Sequence, residues 1–313
     1  MSTPSAGTTV KRLFSSNDYL APLPIPTGQK PSDVLNTVWR KNEVFIDIGN
    51  YSIGSAVMVL WPTTMLLFGL AYAFNDIEWW IFAASITGIP ILIIIQSLFQ
   101  KAPPPVRFNR QRREVCVPRE NGEYWIVPWE SVTAATTQHS SVNQAGKMTT
   151  GLLFIGFENP DPQAKEDDKH FSLGFYCGGG TTAMALWECM RSFMEIGPEA
   201  LPITNDYESS RETLYGNNVF LDAICDPIIG IFRYTRDLEI GKLIGLIMGI
   251  VFLGGPLAAM LQIWKLSPPP DLLYPEIIEW SKPIPPDQWA KRSPELEEAI
   301  AKREAELAAQ AAD

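Results

Sequence analysis

The chain has 313 residues and a formal net charge of −10 at neutral pH, and 46% of its residues are hydrophobic while 19% are charged. This length accommodates one soluble domain with a few membrane helices. The acidic balance argues against nucleic acid as a partner, because phosphate recognition needs clustered lysine and arginine. With four cysteines in no CxxC spacing and only two histidines, the sequence predicts no metal and no cofactor.

Residues 1–50 are predicted to form a cytoplasmic N-terminal segment. They carry basic residues but no short apolar stretch followed by a small-residue cleavage site, which a secretory signal requires. The first apolar run begins later and is long enough to stay in the protein as an anchor.

Residues 51–100 are predicted to form a transmembrane helical hairpin. Tyr51–Phe74 runs for 24 residues without a charge, and Trp79–Gln100 does so for 22. A hydrocarbon core about 30 Å thick needs roughly 20 apolar residues in a helix, so each run can cross it. Only Asn75–Glu78 separate the runs, which indicates a tight turn between antiparallel helices.

The distribution of arginine and lysine predicts the orientation of this hairpin. The turn has neither residue, whereas Arg40 and Lys41 precede the first run and Lys101 and Arg107 follow the second. Basic residues favour the cytoplasmic side. The N-terminus and the middle domain are therefore expected in the cytoplasm, with the hairpin in a bacterial inner membrane.

Residues 201–264 are predicted to return to the membrane. Residues 201–242 form a connecting and interfacial segment, because Asp222, Asp226 and Pro227 interrupt its apolar stretch. Residues 243–264 carry no charge over 22 positions and are predicted as a third transmembrane helix. None of the three runs contains an acidic or basic side chain, so they are expected to anchor the protein rather than to conduct ions.

Residues 101–200 are predicted to form a small antiparallel β barrel or sandwich, closed by a C-terminal helix. The fold class is thus an α+β membrane protein. Period-two patterns and the turn residues Asn121–Gly122 indicate six strands. The predicted strands are Val106–Arg110, Glu114–Pro118, Tyr124–Pro128, Ser131–Thr137, Leu152–Phe157 and His170–Tyr176.

The closing helix is predicted from Thr181 or Thr182 to Gly197–Pro198. Trp187 and Met190 belong to its wide apolar face, and glycine followed by proline is a typical helix end. Glu188, Arg191 and Glu195 stand three and four residues apart, which predicts ion pairs on the solvent side of the helix.

The order of strands and helix resembles the pleckstrin-homology-like domains of bacterial membrane proteins that follow a helical hairpin. The residues that carry the likeness are Val106–Arg110, the turn at Asn121–Gly122 and the stretch Val127–Val132, with the sequence VPWESV. The resemblance covers about Val106 to Gly197 and implies a PH-like fold.

A larger part of the chain resembles an uncharacterised proteobacterial membrane family. The hairpin, the RFNR and PWE stretches and the run Leu186–Glu195 before Gly197–Pro198 carry this likeness. Genes of that family are often found beside type VI secretion effector and spike genes. The resemblance implies a role in interbacterial toxin delivery and supplies no catalytic residues.

Two groups of residues outside the spans are candidate binding sites. Arg107, Arg110, Arg112 and Arg113 follow the hairpin closely, so they either bind anionic lipid headgroups or only set the topology. The turn Gly178–Thr181, comprising Gly178, Gly179, Gly180 and Thr181, opens the helix and is a candidate anion site, the alternative being a flexible turn.

Residues 265–313 are predicted to form a proline-rich tail with a terminal helix, in the periplasm if the third helix crosses. Its aromatic residues Tyr274, Trp280 and Trp289 are candidate docking residues for a partner. Ser293 followed by Pro294 indicates the start of the helix. The alternative for the tail is a solvated spacer.

The sequence contains no pattern of a catalytic site, so a non-enzymatic protein that acts by recognising another protein is expected. An immunity or accessory protein of a type VI secretion effector locus is the first hypothesis. An effector-loading adaptor that works through the cytosolic domain is the second, and a membrane-directed, pore-forming toxin is the third.

Overall fold

The structure is a computed structural model and describes residues 4–12, 15–33, 35–51, 53–119, 122–143, 146–179, 181–201, 219–266 and 268–312. The chain divides into two compact units that alternate along the sequence. The sheet unit comprises Met1–Asn50, Pro104–Asp206 and Asp271–Asp313, and the helix unit comprises Tyr51–Pro103 and Tyr207–Pro270.

The sheet unit contains ten strands in two antiparallel sheets. The strands are β1 (Thr9–Lys11), β2 (Ser15–Ala21), β3 (Val38–Lys41), β4 (Phe45–Ile48), β5 (Val106–Asn109), β6 (Glu114–Pro118), β7 (Tyr124–Pro128), β8 (Thr133–Asn143), β9 (Gly146–Glu158) and β10 (His170–Gly178). Sheet A has the order β1-β2-β8-β9-β10, and sheet B has the order β3-β4-β5-β6-β7. The described strands thus form two separate sheets and not a closed barrel.

The eight α-helices belong to both units. They are α1 (Ile53–Phe74), α2 (Ile77–Phe99), α3 (Thr182–Glu195), α4 (Val219–Arg236), α5 (Ile240–Ile247), α6 (Gly255–Leu266), α7 (Pro275–Trp280) and α8 (Pro294–Ala312). In the sheet unit, α3 packs on β9 and β10.

One hydrophobic core joins the two sheets and α3. Its largest fully buried side chains include Phe108 of sheet B, Phe157 of sheet A and Trp187 of α3. The rings of Trp129 and Trp187 stack with their centroids 5.4 Å apart, and Phe108 meets Trp129 edge to face. Aromatic side chains bury large apolar areas, so this cluster is a main source of stability.

The six strands and the helix predicted for the middle of the chain are confirmed to within a few residues. The mixed α+β class is confirmed as well. Four further strands, β1 to β4, lie in residues 1–50, for which the sequence predicts only a cytoplasmic N-terminal segment. They complete both sheets, because β2 pairs with β8 and β4 pairs with β5.

The ion pairs predicted on α3 are confirmed for Glu188 and Arg191, which pair at a spacing of three residues, but their predicted position on the solvent side is wrong. Glu188, Arg191 and Glu195 are all buried. Glu188 accepts hydrogen bonds from the backbone N–H and the hydroxyl of Thr27, at 3.2 and 2.9 Å. The N-terminal segment therefore covers the helix face that the spacing alone assigns to solvent.

The helix unit contains two helices that are long and apolar enough to cross a membrane, α1 and α2. Asp76 caps α2 by accepting a hydrogen bond from the backbone N–H of Glu78 at 3.1 Å. The predicted hairpin is therefore present at its expected place.

The region predicted as one straight third helix is bent. A π-helical turn, Met248–Phe252, continues α5, and the stretch Ile240–Phe252 meets α6 at an angle of 67°. Gly254 lies at the bend with a positive φ of 64°, and a Cβ there would lie 2.8 Å from Cγ of Trp61 in α1. Glycine is thus required at this turn. Residues 202–218 of the predicted connecting segment lie outside the described part of the chain.

The predicted separate tail is wrong. Asp271–Asp313 belong to the same compact unit as the middle domain. The predicted helix start is confirmed, since α8 begins at Pro294 and Ser293 Oγ accepts from the backbone N–H of Leu296 at 3.1 Å. The packing of this stretch with the middle domain argues against placing the two on opposite sides of a membrane.

Candidate functional site

The outer face of sheet B carries a row of paired charges. Antiparallel register brings Arg40, Asp47 and Arg107 side by side across β3, β4 and β5. Arg107 donates from Nε and Nη2 to the two carboxylate oxygens of Asp47 at 2.7 and 2.8 Å. From Nη2 it also donates to Asp271 at 2.7 Å. The C-terminal tail therefore starts on a charge cluster that sheet B supplies.

This cluster is shielded from water. Asp47 is fully buried and Arg107 is 3% exposed. Burial by itself would lower the pKa of Arg107, but the hydrogen bond to Asp47 and the charges of Asp47 and Asp271 outweigh it, so the pKa lies above its ordinary value. Removal of either Asp47 or Arg107 would leave a buried charge without its main partner.

The cluster of Arg107, Asp47 and Asp271 is the first junction between the sheets and the tail. Glu195, at the end of α3, forms the second junction. Its Oε1 accepts hydrogen bonds from Arg113 Nη2 at 2.9 Å and from Trp129 Nε1 at 2.7 Å. Its Oε2 accepts from Arg292 Nε at 2.6 Å. Burial would raise the pKa of Glu195, but the bonds from Arg113 and Trp129 and the charge of Arg292 hold it below its ordinary value.

The three aromatic residues predicted to dock a partner contact the chain's own sheet unit. Trp280 is 8% exposed and donates from Nε1 to Glu114 at 2.7 Å. The ring of Tyr274 lies 4.9 Å from that of Tyr124. Trp289 donates from Nε1 to the carbonyl of Ile284 at 3.0 Å, within the tail itself. These residues fold the tail onto the domain in this structure.

An apolar contact completes the attachment of α7. Leu272, Ile277 and Trp280 cover Cys116 on the outer face of sheet B. Cys116 and Ile126 are register partners on β6 and β7, and Ile126 packs against the same cluster. The outer face of sheet B is therefore a second, smaller core.

The basic residues after the hairpin are engaged inside the protein. Arg107 and Arg113 are both buried and paired with carboxylates, which argues against a headgroup-binding role for these two. Arg110 donates from Nη2 to the carbonyl of Ile196 at 2.6 Å. Arg112 donates from Nε to the carbonyl of Trp280 at 3.0 Å. A contribution of the four charges to topology stays a prediction.

The glycine-rich turn before α3 is described in part. Gly178 ends β10 with a φ of 73°, and the hydroxyl of Thr182 donates to the carbonyl of Gly179 at 2.9 Å. Thr181 occupies the N-cap position without a side-chain capping bond. Gly180 lies outside the described residues, and anion binding at this turn stays a prediction.

The buried cysteines are expected to be unreactive. Burial raises the pKa of Cys116 and of Cys189 to about 12, and that of Cys177 to about 11. These thiols stay protonated at neutral pH, and a protonated thiol is a poor nucleophile. They act as small apolar side chains.

The outer face of sheet A differs from that of sheet B because it exposes apolar side chains. Leu152, Phe154 and Tyr176 lie on this side of β9 and β10, and we call this patch the aromatic face. Phe154 is 43% exposed and Tyr176 is 65% exposed. Tyr176 is the register partner of Leu152, and Phe154 lies between its partners Ala135 and Gly174. Because the neighbours on both sides are small, they leave one side of the Phe154 ring open to solvent.

The ring of Phe154 lies over the backbone of Gly174 on the neighbouring strand. A Cβ at Gly174 would lie 3.4 Å from Cε1 of this ring, so the ring rests on the bare backbone of β10. Exposed aromatic side chains held by a rigid sheet are typical of protein interfaces, where aromatic residues are enriched. The aromatic face is the candidate recognition surface of the sheet unit.

Three charged residues of the tail contacts, Asp47, Asp271 and Arg292, were not identified from the sequence. Asp47 stands in the apolar strand FIDI, where an isolated carboxylate is a signal for a buried ion pair. Asp271 and Arg292 give no comparable signal, because they lie in a polar, proline-rich stretch. Only the fold brings them to Arg107 and Glu195.

The fold and the two apolar helices define an α+β protein with a helical hairpin that is compatible with membrane insertion. The chain matches no protein-family model, no curated protein and no solved structure.

Proposed function

We propose that this protein is a non-enzymatic, membrane-anchored recognition protein, and that it serves a type VI secretion effector locus as an immunity or accessory protein. The aromatic face is the observation that carries the recognition role. It presents Phe154 and Tyr176 to solvent, whereas the charges of the two tail junctions are bound within the protein. The secretion locus rests on the sequence resemblance alone.

The proposed topology keeps the whole sheet unit on one side of the membrane. The sheet unit contains the chain on both sides of the stretch Tyr207–Pro270. This stretch must then cross the membrane an even number of times. We assign it no full crossing and take the bent pair of α5 and α6 as a re-entrant hairpin, with the bend at Gly254.

Contacts within the helix unit support a re-entrant hairpin. At the C-terminal end of α6, Gln262 donates to the carbonyl of Tyr51 at 2.8 Å, next to the start of α1. Near the bend, Trp61 Nε1 donates to the carbonyl of Val251 at 3.0 Å. Trp61 lies eight residues after the start of α1, about 12 Å along the helix axis, which is less than half of the hydrocarbon core.

The proposed orientation follows the basic residues. The turn between α1 and α2 has no lysine or arginine, whereas both flanks of the hairpin are basic. The sheet unit, including the tail, is therefore assigned to the cytoplasm and the hairpin to the inner membrane. The partner would meet the aromatic face on the cytoplasmic side.

A C-terminal reporter tests this topology. Green fluorescent protein fused after residue 313 is expected to fluoresce, and alkaline phosphatase at the same place is expected to be inactive. The same two reporters after Asn75, in the hairpin turn, serve as the control and should give the reverse result. An active phosphatase at the C-terminus would instead show that the third helix crosses the membrane completely.

A competition assay tests the function. Deletion of the gene should cause self-intoxication, and deletion of the neighbouring effector gene as well should abolish it. Lost killing of rivals without self-intoxication would instead identify an effector-loading adaptor. Toxicity from expression of this chain alone would favour a membrane-directed toxin. No change in any of the three assays would refute the secretion role.

Complementation of the deletion by variants of the chain tests whether the function depends on the aromatic face. Phe154→Ser with Tyr176→Ser should fail to complement the deletion, although the protein level in the membrane fraction stays normal. Leu273→Ser is the matched control, because Leu273 is an 81% exposed apolar residue of the tail, outside the aromatic face. Full complementation by the double variant would contradict recognition through this face.

A further inference from the structure

A groove lies between α4 and α5 in the helix unit. It has a volume of about 400 Å³ and is lined by Pro227, Ile229, Gly230, Arg233, Tyr234 and Leu246. Five of these six residues contribute apolar surface, and the sixth is an arginine. The groove is thus suited to a molecule with an apolar body and an anionic end.

The shape of the groove depends on one glycine. A Cβ at Gly230 would lie 2.9 Å from Cδ2 of Leu246, closer than a side chain can approach. The absence of a side chain lets α4 and α5 come together at the base of the groove. A larger residue at this position would force the side chain of Leu246 to move and would change the lining of the groove.

Arg233 differs from the neighbouring cations. Arg236 pairs with Asp237 at 2.9 Å, and Lys242 pairs with Glu239 at 2.8 Å. Arg233 is exposed, and among the described side chains it makes no ion pair. One guanidinium without a carboxylate therefore lies beside an apolar groove.

The surroundings of the groove are apolar. Ile228 is 46% exposed and Phe232 is 72% exposed, on the same helix as Arg233. A helix that combines exposed apolar residues with basic residues is typical of the boundary between headgroups and acyl chains. In a chain anchored by α1 and α2, such a helix contacts lipid.

We propose that this groove binds one anionic phospholipid, such as phosphatidylglycerol. The lipid phosphate would accept hydrogen bonds from Arg233, since a guanidinium matches phosphate oxygens in charge and geometry. One acyl chain would lie along Ile229, Tyr234 and Leu246. The proposal rests on insertion of the helix unit into a membrane and is independent of the aromatic face and of the secretion locus.

The test compares lipids and matched variants. The full chain in detergent is titrated with short-chain phosphatidylglycerol and with short-chain phosphatidylcholine, and bound lipid is counted by native mass spectrometry. Phosphatidylglycerol is expected to bind at one site and more tightly. In Arg233→Gln its affinity should fall about fivefold, the factor expected for one cation at a membrane surface. Arg236→Gln is the control and should bind as the native chain does.

Two further experiments distinguish binding in the groove from simple charge attraction between the lipid and the protein. Glycerol phosphate carries the anion without acyl chains, and it should not compete for the site. Ile229→Trp should fill the groove and abolish the single high-affinity site, while the melting temperature shows that the protein stays folded. Equal binding of the two lipids, equal loss in both arginine variants, or full competition by glycerol phosphate would each overturn the proposal.

Discussion

The outer faces of the two sheets differ: that of sheet B is covered by the chain's own tail, and that of sheet A is exposed. On sheet B, the row Arg40, Asp47 and Arg107 is covered by the start of the tail, and Cys116 lies beneath α7. On sheet A, Phe154 and Tyr176 remain exposed. Both sheets bury their inner faces in one core. The difference between the outer faces therefore comes from the tail, which supplies an intramolecular partner to one sheet only.

The largest effect is expected when the tail is removed. Deletion of 271–313 takes away Leu272, Ile277 and Trp280, each worth about 1.5–3 kcal/mol when fully buried, and leaves the cluster around Arg107 without Asp271. The sheet unit should unfold or become sensitive to protease. Limited proteolysis of the full chain and the truncated chain in detergent measures this.

Cysteine labelling provides the control for the truncation. In the native chain Cys116 should resist maleimide at pH 7, because it is buried and its pKa is raised to about 12. It should react rapidly once the tail is absent. If Cys116 still resists maleimide in the truncated chain, the tail is not what shields the outer face of sheet B.

The next largest effect is expected for Arg107→Met. The variant leaves Asp47 buried without its main partner, and the loss of one member of a buried ion pair costs about 3–5 kcal/mol. The melting temperature of the purified chain measures the loss. Lys282→Met is the control, because Lys282 and Glu279 form an exposed pair on the same tail, worth about 0–1 kcal/mol. Equal shifts in both variants would contradict the assigned role of Arg107.

A smaller, pH-dependent effect is expected for Glu195→Gln. The folded pKa of Glu195 is lowered, so its charge stabilises the fold above its unfolded pKa of about 4.5, and this contribution disappears as the pH falls through the folded pKa. At neutral pH the variant should lose about 2–3 kcal/mol, because Arg292 loses its carboxylate partner and Arg113 keeps, among the described residues, only Glu130.

The difference in stability between the native chain and Glu195→Gln should shrink below pH 4.5. Denaturant unfolding at a series of pH values measures this difference. Glu166→Gln is the control, since Glu166 is an exposed residue that, within the described part of the chain, pairs only with Lys169 on the surface. A difference that stays constant with pH would show that Glu195 acts by its shape and not by its charge.

The smallest effect on stability is expected on sheet A. Phe154→Ser with Tyr176→Ser should change the free energy of unfolding by about 0.5 kcal/mol or less, as is usual for exposed positions. Thermal unfolding of the purified double variant checks this. A large loss would mean that the aromatic face is a packed surface of the fold, and it would remove the basis for the proposed recognition role.

The parts of the fold that the sequence predicted are those with strong local signals. The apolar runs of α1 and α2, the alternating strands after Val106, and the helix that ends before Gly197 follow from spacing and turn residues within about 20 positions. The candidate site was predicted less well. The basic residues and the tail aromatics were identified as important, but their partners lie up to 174 positions away, as in the bond between Arg107 and Ser281.

The sequence by itself determined that the chain carries apolar helices able to cross a membrane and an antiparallel β domain closed by α3. Uninterrupted apolar length and short-range periodicity are local properties, so they are readable before folding. Only the tertiary structure decided that β1–β4 complete the two sheets, that the tail returns to cover sheet B, and that Glu195 is buried. The reason is physical: an exposed and a buried ion pair can have the same spacing along a helix, and the choice between them depends on segments brought in from elsewhere in the chain.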